Sequence, residues 1–178
     1  MPEAPPLPPA RRAFLLETAR AAGTGPLALA LFAGEAAARP RGEAFDVEIL
    51  AAALALEHHA IAIYDAGLSR SLFPAGLRAR AVEFRGDHEG HRDTQVLFLR
   101  ERGVEAPAPL RSYDLGPWRG GDDLLREAAR IELAAQDAYL ALLSQVRTSD
   151  YLLTAAFILV DEARHLTVWQ RALGQRLY

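Results

Sequence analysis

One arrangement of polar residues occurs twice in this chain, and that repetition limits the fold more than any bulk property. Glu57 precedes the run Asp87-His88-Glu89-Gly90-His91, and Glu132 precedes Asp161-Glu162-Ala163-Arg164-His165 at nearly the same interval. A carboxylate on one helix, then an acid-or-imidazole pair three residues apart on the next, twice over, is how a four-helix bundle assembles a two-metal site in its core. The expected fold is all-α.

Composition agrees. A chain of 178 residues is one domain, long enough to bury a core. It is 51% apolar but only 8% aromatic, with alanine and leucine dominant, and both lose little on entering a helix. A net charge of −3 gives no basic surface for nucleic acid. The absence of cysteine excludes disulfides, thiolate metal sites and thiol catalysis. Any metal must therefore use nitrogen and oxygen ligands, which suit iron, manganese or zinc.

Residues 1–44 differ from the rest. Met1 to Ala10 is proline-rich. Arg11-Arg12 follows, then Phe14-Leu15, a small and apolar run from Ala21 to Gly34, and Ala36-Ala37-Ala38. The segment resembles a twin-arginine export signal, which would direct the protein to the periplasm. Glu17 and Arg20 fit that reading poorly, and the alternative is an extra helix on the bundle of a cytoplasmic protein. Gly23, Gly25 and Pro26 break the apolar run, so no stable membrane span is expected there.

Residues 45–178 form the bundle. The first helix is expected from about Asp46, as N-cap, to about Arg70. The second runs from about Ala75 to about Arg102 and stops at Gly103. The third begins near Asp122 and ends near Arg147; the fourth spans about Ser149 to Gly174. Short links join the first to the second helix and the third to the fourth, which forces two antiparallel hairpins. The middle connection of about 18 residues, at roughly 3.3 Å each, reaches nearly 60 Å. A helix of about 26 residues is only about 39 Å long. The chain can therefore run back along the bundle, giving an up-down-down-up order with one long crossover.

The polar residues fall on the apolar stripes. Glu57 lies among Leu50, Ala53, Leu54, Ala60, Ile61 and Tyr64; Glu132 lies among Leu125, Ala128, Ala135 and Tyr139. His88 and His91 extend a stripe through Leu77, Ala81, Phe84, Gln95 and Phe98. Glu162 and His165 continue Leu152, Ala155 and Leu159 towards Trp169. Counted along each helix, all four positions fall within one turn of the same level. Buried carboxylates without partners cost several kcal/mol each, and two divalent cations remove that cost. The predicted metal ligands are Glu57, His88, His91, Glu132, Glu162 and His165. Asp87 and Asp161 are placed to accept hydrogen bonds from the outward imidazole nitrogens across the bundle. Tyr64 and Tyr139, each seven residues after a glutamate, are expected to be core side chains, with capping of a ligand carboxylate or donation of an electron or proton as the other reading. His58 and His59 are adjacent and cannot both face the core, so structural roles are expected. Glu89 and Arg164 should be exposed.

With these residues in place, the chain resembles the ferritin-like di-metal carboxylate superfamily over about residues 46–175. Members include bacterioferritins, rubrerythrins, manganese catalases and many exported ferritin-like proteins of unassigned activity. The superfamily pattern is Glu, Glu-x-x-His, Glu, Glu-x-x-His on successive helices. This chain reads Glu57, His88-x-x-His91, Glu132, Glu162-x-x-His165. The departure is His88, where the superfamily has a bridging glutamate. An imidazole is expected to hold one metal and not to bridge two, making the site asymmetric, mononuclear or weaker in its second metal. The absence of cysteine excludes a complete rubrerythrin. The resemblance implies two divalent ions, iron or manganese foremost and zinc as an option. It also implies an oxidoreductase reacting with O₂ or peroxide. The alternatives are metal storage or delivery, or a metal-free or structurally metallated bundle in stress protection. Homodimer formation is common for bundles of this size.

Overall fold

The computed structural model describes residues 43–143 and 149–175. The twin-arginine motif and the rest of the N-terminal extension up to residue 42 lie outside the described residues. Four long helices follow in order: α1 (Glu43–Ser69), α2 (Arg78–Glu101), α3 (Gly121–Leu143) and α4 (Ser149–Ala172), with a 3₁₀ turn at Ala75–Leu77 before α2. No strand is present among the described residues. Among the described residues the fold is an all-α four-helix bundle.

Two boundaries differ from the sequence expectation. The first helix already includes Glu43, the first described residue, so Asp46 is not its N-cap but lies within it, 2% exposed. The second helix starts at Arg78, because Ala75–Leu77 closes a tighter turn first, with Leu77 N–H donating to the Pro74 carbonyl at 2.8 Å. At the far end of α2, Gly103 takes φ +69° and Val104 N–H returns to the Leu99 carbonyl at 3.0 Å, closing the helix end as expected.

The helices pack as two hairpins, α1 with α2 and α3 with α4; α1 also lies against α3, and α2 against α4. The start of α3 abuts the turn leaving α1. A Cβ on Gly121 would lie 2.8 Å from the Leu72 carbonyl oxygen, and the Leu124 side chain packs on Gly67. The third helix therefore begins at the end of the bundle where the second began, and residues 102–120 must run its full length. This connection lies along α1: Pro107 O meets His58 Nε2 at 3.2 Å, Tyr113 stacks on His59, and Trp118 O accepts from Arg70.

The core has two apolar clusters. One holds Ile49, Leu50, Leu54, Leu99, Leu142, Tyr151 and Ile158; the other holds Ile63, Phe73, Phe84, Leu124, Ile131, Leu166 and Trp169. Between them lies the layer containing Glu57, Glu132 and both three-residue pairs. By length and composition alone, Asp46–Ser69 is apolar enough to cross a bilayer, but 61% of that window is buried inside the bundle. Helix α1 is the core helix.

Gly121→Ala should destabilise the fold by about 1–3 kcal/mol, because backbone cannot yield as a side chain can. Gly86→Ala, with nothing within 4 Å of the new Cβ on α2, should stabilise it by about 0.5–1 kcal/mol. Thermal melting followed by circular dichroism at 222 nm measures both, and equal shifts would contradict the close approach at Gly121.

Candidate metal centre

Six side chains from all four helices meet in the polar layer. Glu57, His88, His91 and Glu162 form one group, and His88, Glu132, Glu162 and His165 form another; within each group the donor atoms lie within 4.8 Å of one another. Glu132, Glu162 and His165 are 0% exposed, and His91, the most accessible of the six, is 7% exposed. A surface cavity of about 610 Å³ beside Trp118, Arg119 and Asp123 contains no member of either group.

The surroundings repeat along with the ligands. Tyr64 OH donates to Glu132 and accepts from Trp169 Nε1 at 2.8 Å. Tyr139 OH donates to Glu57 Oε1 at 2.5 Å and accepts from Gln95 Nε2. Each tyrosine thus serves the glutamate of the other hairpin and not the one seven residues before it. The reason is the tilt of side chains towards the helix N-terminus. On antiparallel α1 and α3, Glu57 leans towards the end holding Tyr139, and Glu132 towards the end holding Tyr64.

The outward imidazole nitrogens meet aspartates across the α2–α4 interface. His165 Nε2 lies 3.1 Å from Asp87 Oδ2, and His91 Nε2 lies 3.5 Å from Asp161 Oδ2. Arg164 joins the two aspartates, with Nη2 at 2.5 Å from Asp87 Oδ2 and 3.4 Å from Asp161 Oδ1. Its side chain is 47% exposed, as the helical phase suggests, but its contacts tie it to the site. The signal for this was the three-residue spacing of Asp161 and Arg164, which puts them on adjacent parts of one face. Glu89 pairs with Arg85 on the surface at 2.7 Å. His58 and His59 belong to neither ligand group and face the crossover. Burial moves the His59 pKa down to about 4.

The electrostatics divide the three glutamates. Burial opposes charge on Glu57, but the hydrogen bond from His88 Nδ1 at 2.9 Å and the His91 ring 3.6 Å away hold its pKa at about 2. Burial also opposes charge on Glu132, yet the His88 charge and the His165 hydrogen bond keep it well below the usual carboxylate range. Glu162 is different. Burial pushes it well above that range; His88 opposes that rise, and the Glu132 and Glu57 charges add to it. Neither Glu162 oxygen has a hydrogen-bond partner, and neither does His91 Nδ1, which faces Glu162 Oε1 at 3.3 Å. Burial alone would lower the pKa of His88, but Glu162 and Glu132 raise it well above the ordinary imidazole value.

This donor set fits divalent cations. It supplies only nitrogen and oxygen, four residues to each group, and an unsatisfied carboxylate at their junction. Burial raises the Tyr64 and Tyr139 hydroxyls well above their usual range, so both stay protonated as donors.

Without metal, His88, His91 and Glu162 hold protons in the folded state at pH values where the unfolded chain has released them. Raised folded-state pKa values give stability that is complete below the unfolded values and lost as pH rises through the folded ones. The melting temperature of chelated protein should therefore fall as pH rises above about 6.5, the unfolded histidine pKa. A divalent cation should reduce that fall. A chelated melting temperature that rises between neutral and mildly alkaline pH would contradict these proton positions.

Comparison with known proteins agrees with the geometry. The model of the ferritin-like domain matches residues 45–175. No curated protein matches the chain. Among solved structures, the chain is similar to a conserved hypothetical protein, rv2844, from Mycobacterium tuberculosis. The two are 30% identical with a TM-score of 0.69, over 74% of this chain and 99% of that one. The chain belongs to the ferritin-like domain family.

Proposed function

We propose that Glu57, His88, His91, Glu132, Glu162 and His165 bind two divalent cations, iron or manganese foremost with zinc accepted, and that the protein is an oxidoreductase acting with O₂ or peroxide. The observation that carries this reading is Glu162. A carboxylate at 0% exposure with both oxygens unpartnered is costly unless a cation meets it. Bound redox metals would supply the electrons exchanged with oxygen or peroxide.

The chain's own residues supply the rest. Tyr139 and Tyr64 hold one oxygen of Glu57 and Glu132 and leave the other turned towards the histidines, His88 and His165 respectively. Asp87 and Asp161 fix the rings of His165 and His91, leaving each Nδ1 directed at the glutamates. The apolar clusters on either side exclude water from the layer. The second reading is a metal-free bundle. It is favoured by the 2.9 Å hydrogen bond from His88 Nδ1 to Glu57 Oε2, since an imidazolium there offsets part of the carboxylate charge.

Elemental analysis of protein purified without chelator separates the two readings. Glu162→Ala and His165→Ala should each abolish most metal binding, while His58→Ala should leave it intact; equal metal content in all three would sink the proposal. Tyr139→Phe should weaken metal affinity about 10–100-fold by releasing Glu57, and an unchanged affinity in a metal titration would remove Tyr139 from the site. Stopped-flow absorbance after mixing Fe²⁺-loaded protein with O₂ or peroxide should show turnover, and its absence with both oxidants would leave metal binding without redox function.

A further inference from the structure

We propose that His88 bridges the two cation positions through both ring nitrogens, so that an imidazolate stands where the superfamily pattern has a bridging carboxylate. The inference rests on the metal-binding reading above and deepens it. It revises the expectation that an imidazole here holds one metal.

His88 and Glu162 are the two residues common to both ligand groups. Each group otherwise has its own glutamate and its own histidine: Glu57 with His91, and Glu132 with His165. The two faces of the His88 ring match this division. Nδ1 lies 2.9 Å from Glu57 Oε2 and 3.6 Å from Glu162 Oε1, whereas Nε2 lies 3.4 Å from Glu132 Oε1. One nitrogen therefore points into the first group and the other into the second. A histidine serving a single cation would instead present its other nitrogen to an outer carboxylate, as His91 and His165 do with Asp161 and Asp87. His88 has no such arrangement, because both nitrogens face carboxylates that are themselves candidate ligands.

Packing holds the ring in this orientation. Its centroid lies 5.3 Å from that of Tyr64, 5.3 Å from His165 and 5.8 Å from His91, and the residue is 1% exposed. Charge favours the same form. With metal bound, Glu57, Glu132 and Glu162 carry three negative charges, and an imidazolate adds a fourth, which balances two divalent cations in a buried layer. With a neutral His88 one positive charge remains and an exogenous anion is needed. The second cation displaces the remaining ring N–H proton, which leaves to solvent, as metal binding generally releases ligand protons.

The bridge sets the spacing of the cations. Bonds of about 2.0–2.1 Å to both nitrogens of one imidazole put the metals roughly 6 Å apart, against about 3.5–4 Å in ordinary two-metal sites. The test loads the full chain with Zn²⁺ alone, measures zinc per chain, and locates the ions by anomalous diffraction at the zinc edge. Two ions per chain, separated by roughly 6 Å with His88 between them, is the expected result. One ion per chain, or a pair within about 4 Å, would overturn the bridge while leaving metal binding intact. No bound zinc would overturn both the bridge and the function proposed above. His88→Glu should keep two ions and draw them to about 3.5–4 Å; a separation unchanged from the parent protein would also overturn the assignment.

Discussion

Burial of like charges is the constraint on which this molecule is built. Glu57, Glu132 and Glu162 sit at one level of an otherwise apolar core, each almost fully removed from water. At low dielectric, repulsion among them is large, and three imidazoles relieve only part of it. The partition is uneven: Glu57 and Glu132 are held ionised by histidines, while Glu162 is driven towards its protonated form. A core made for stability alone would place leucine at these positions. The layer makes chemical sense as a receptor for positive charge, and the apolar clusters on both sides make that charge more effective by keeping water out.

The two hairpins answer this constraint with near-symmetry, broken where it matters most. Glu57 corresponds to Glu132, Tyr64 to Tyr139, His91 to His165 and Asp87 to Asp161, each partner making the same contact across the bundle. The exceptions are His88 opposite Glu162 and Gln95 opposite Trp169. The second difference preserves the contact by other means, since Gln95 and Trp169 each donate to the tyrosine hydroxyl of the other hairpin. The first difference changes the chemistry, because one central residue is an imidazole and the other a carboxylate. The two donor groups therefore share one imidazole and one carboxylate.

Much of this could be read from the chain because it depends on helical phase and residue counting. Glu57 and Glu132 lie on apolar stripes, the pairs three residues apart share a helix face, and the long crossover follows from the distance between Gly103 and Gly121. The crosswise tyrosine contacts were harder to see. They depend on the direction in which side chains lean on two antiparallel helices, which a stripe drawn along one helix does not contain. Asp46 has the chemistry of a cap, whereas its surroundings bury it within α1. Arg164 was read as a surface residue from its phase, and its length carries it back to Asp87.

Arg164 shows how an exposed residue can matter to a buried site without adding much to stability. Its guanidinium is half in water, and ion pairs in that setting are weak. Its value lies in geometry. Asp87 and Asp161 stand on opposite helices, each facing the outer nitrogen of a histidine, and one planar, permanently charged group meets both. Holding both aspartates together couples the orientation of His91 to that of His165 across the α2–α4 interface. Few links tie that interface in the described residues compared with the close packing within each hairpin. A single guanidinium at the edge of the polar layer thus helps keep the two hairpins in register at the level where the six polar side chains meet.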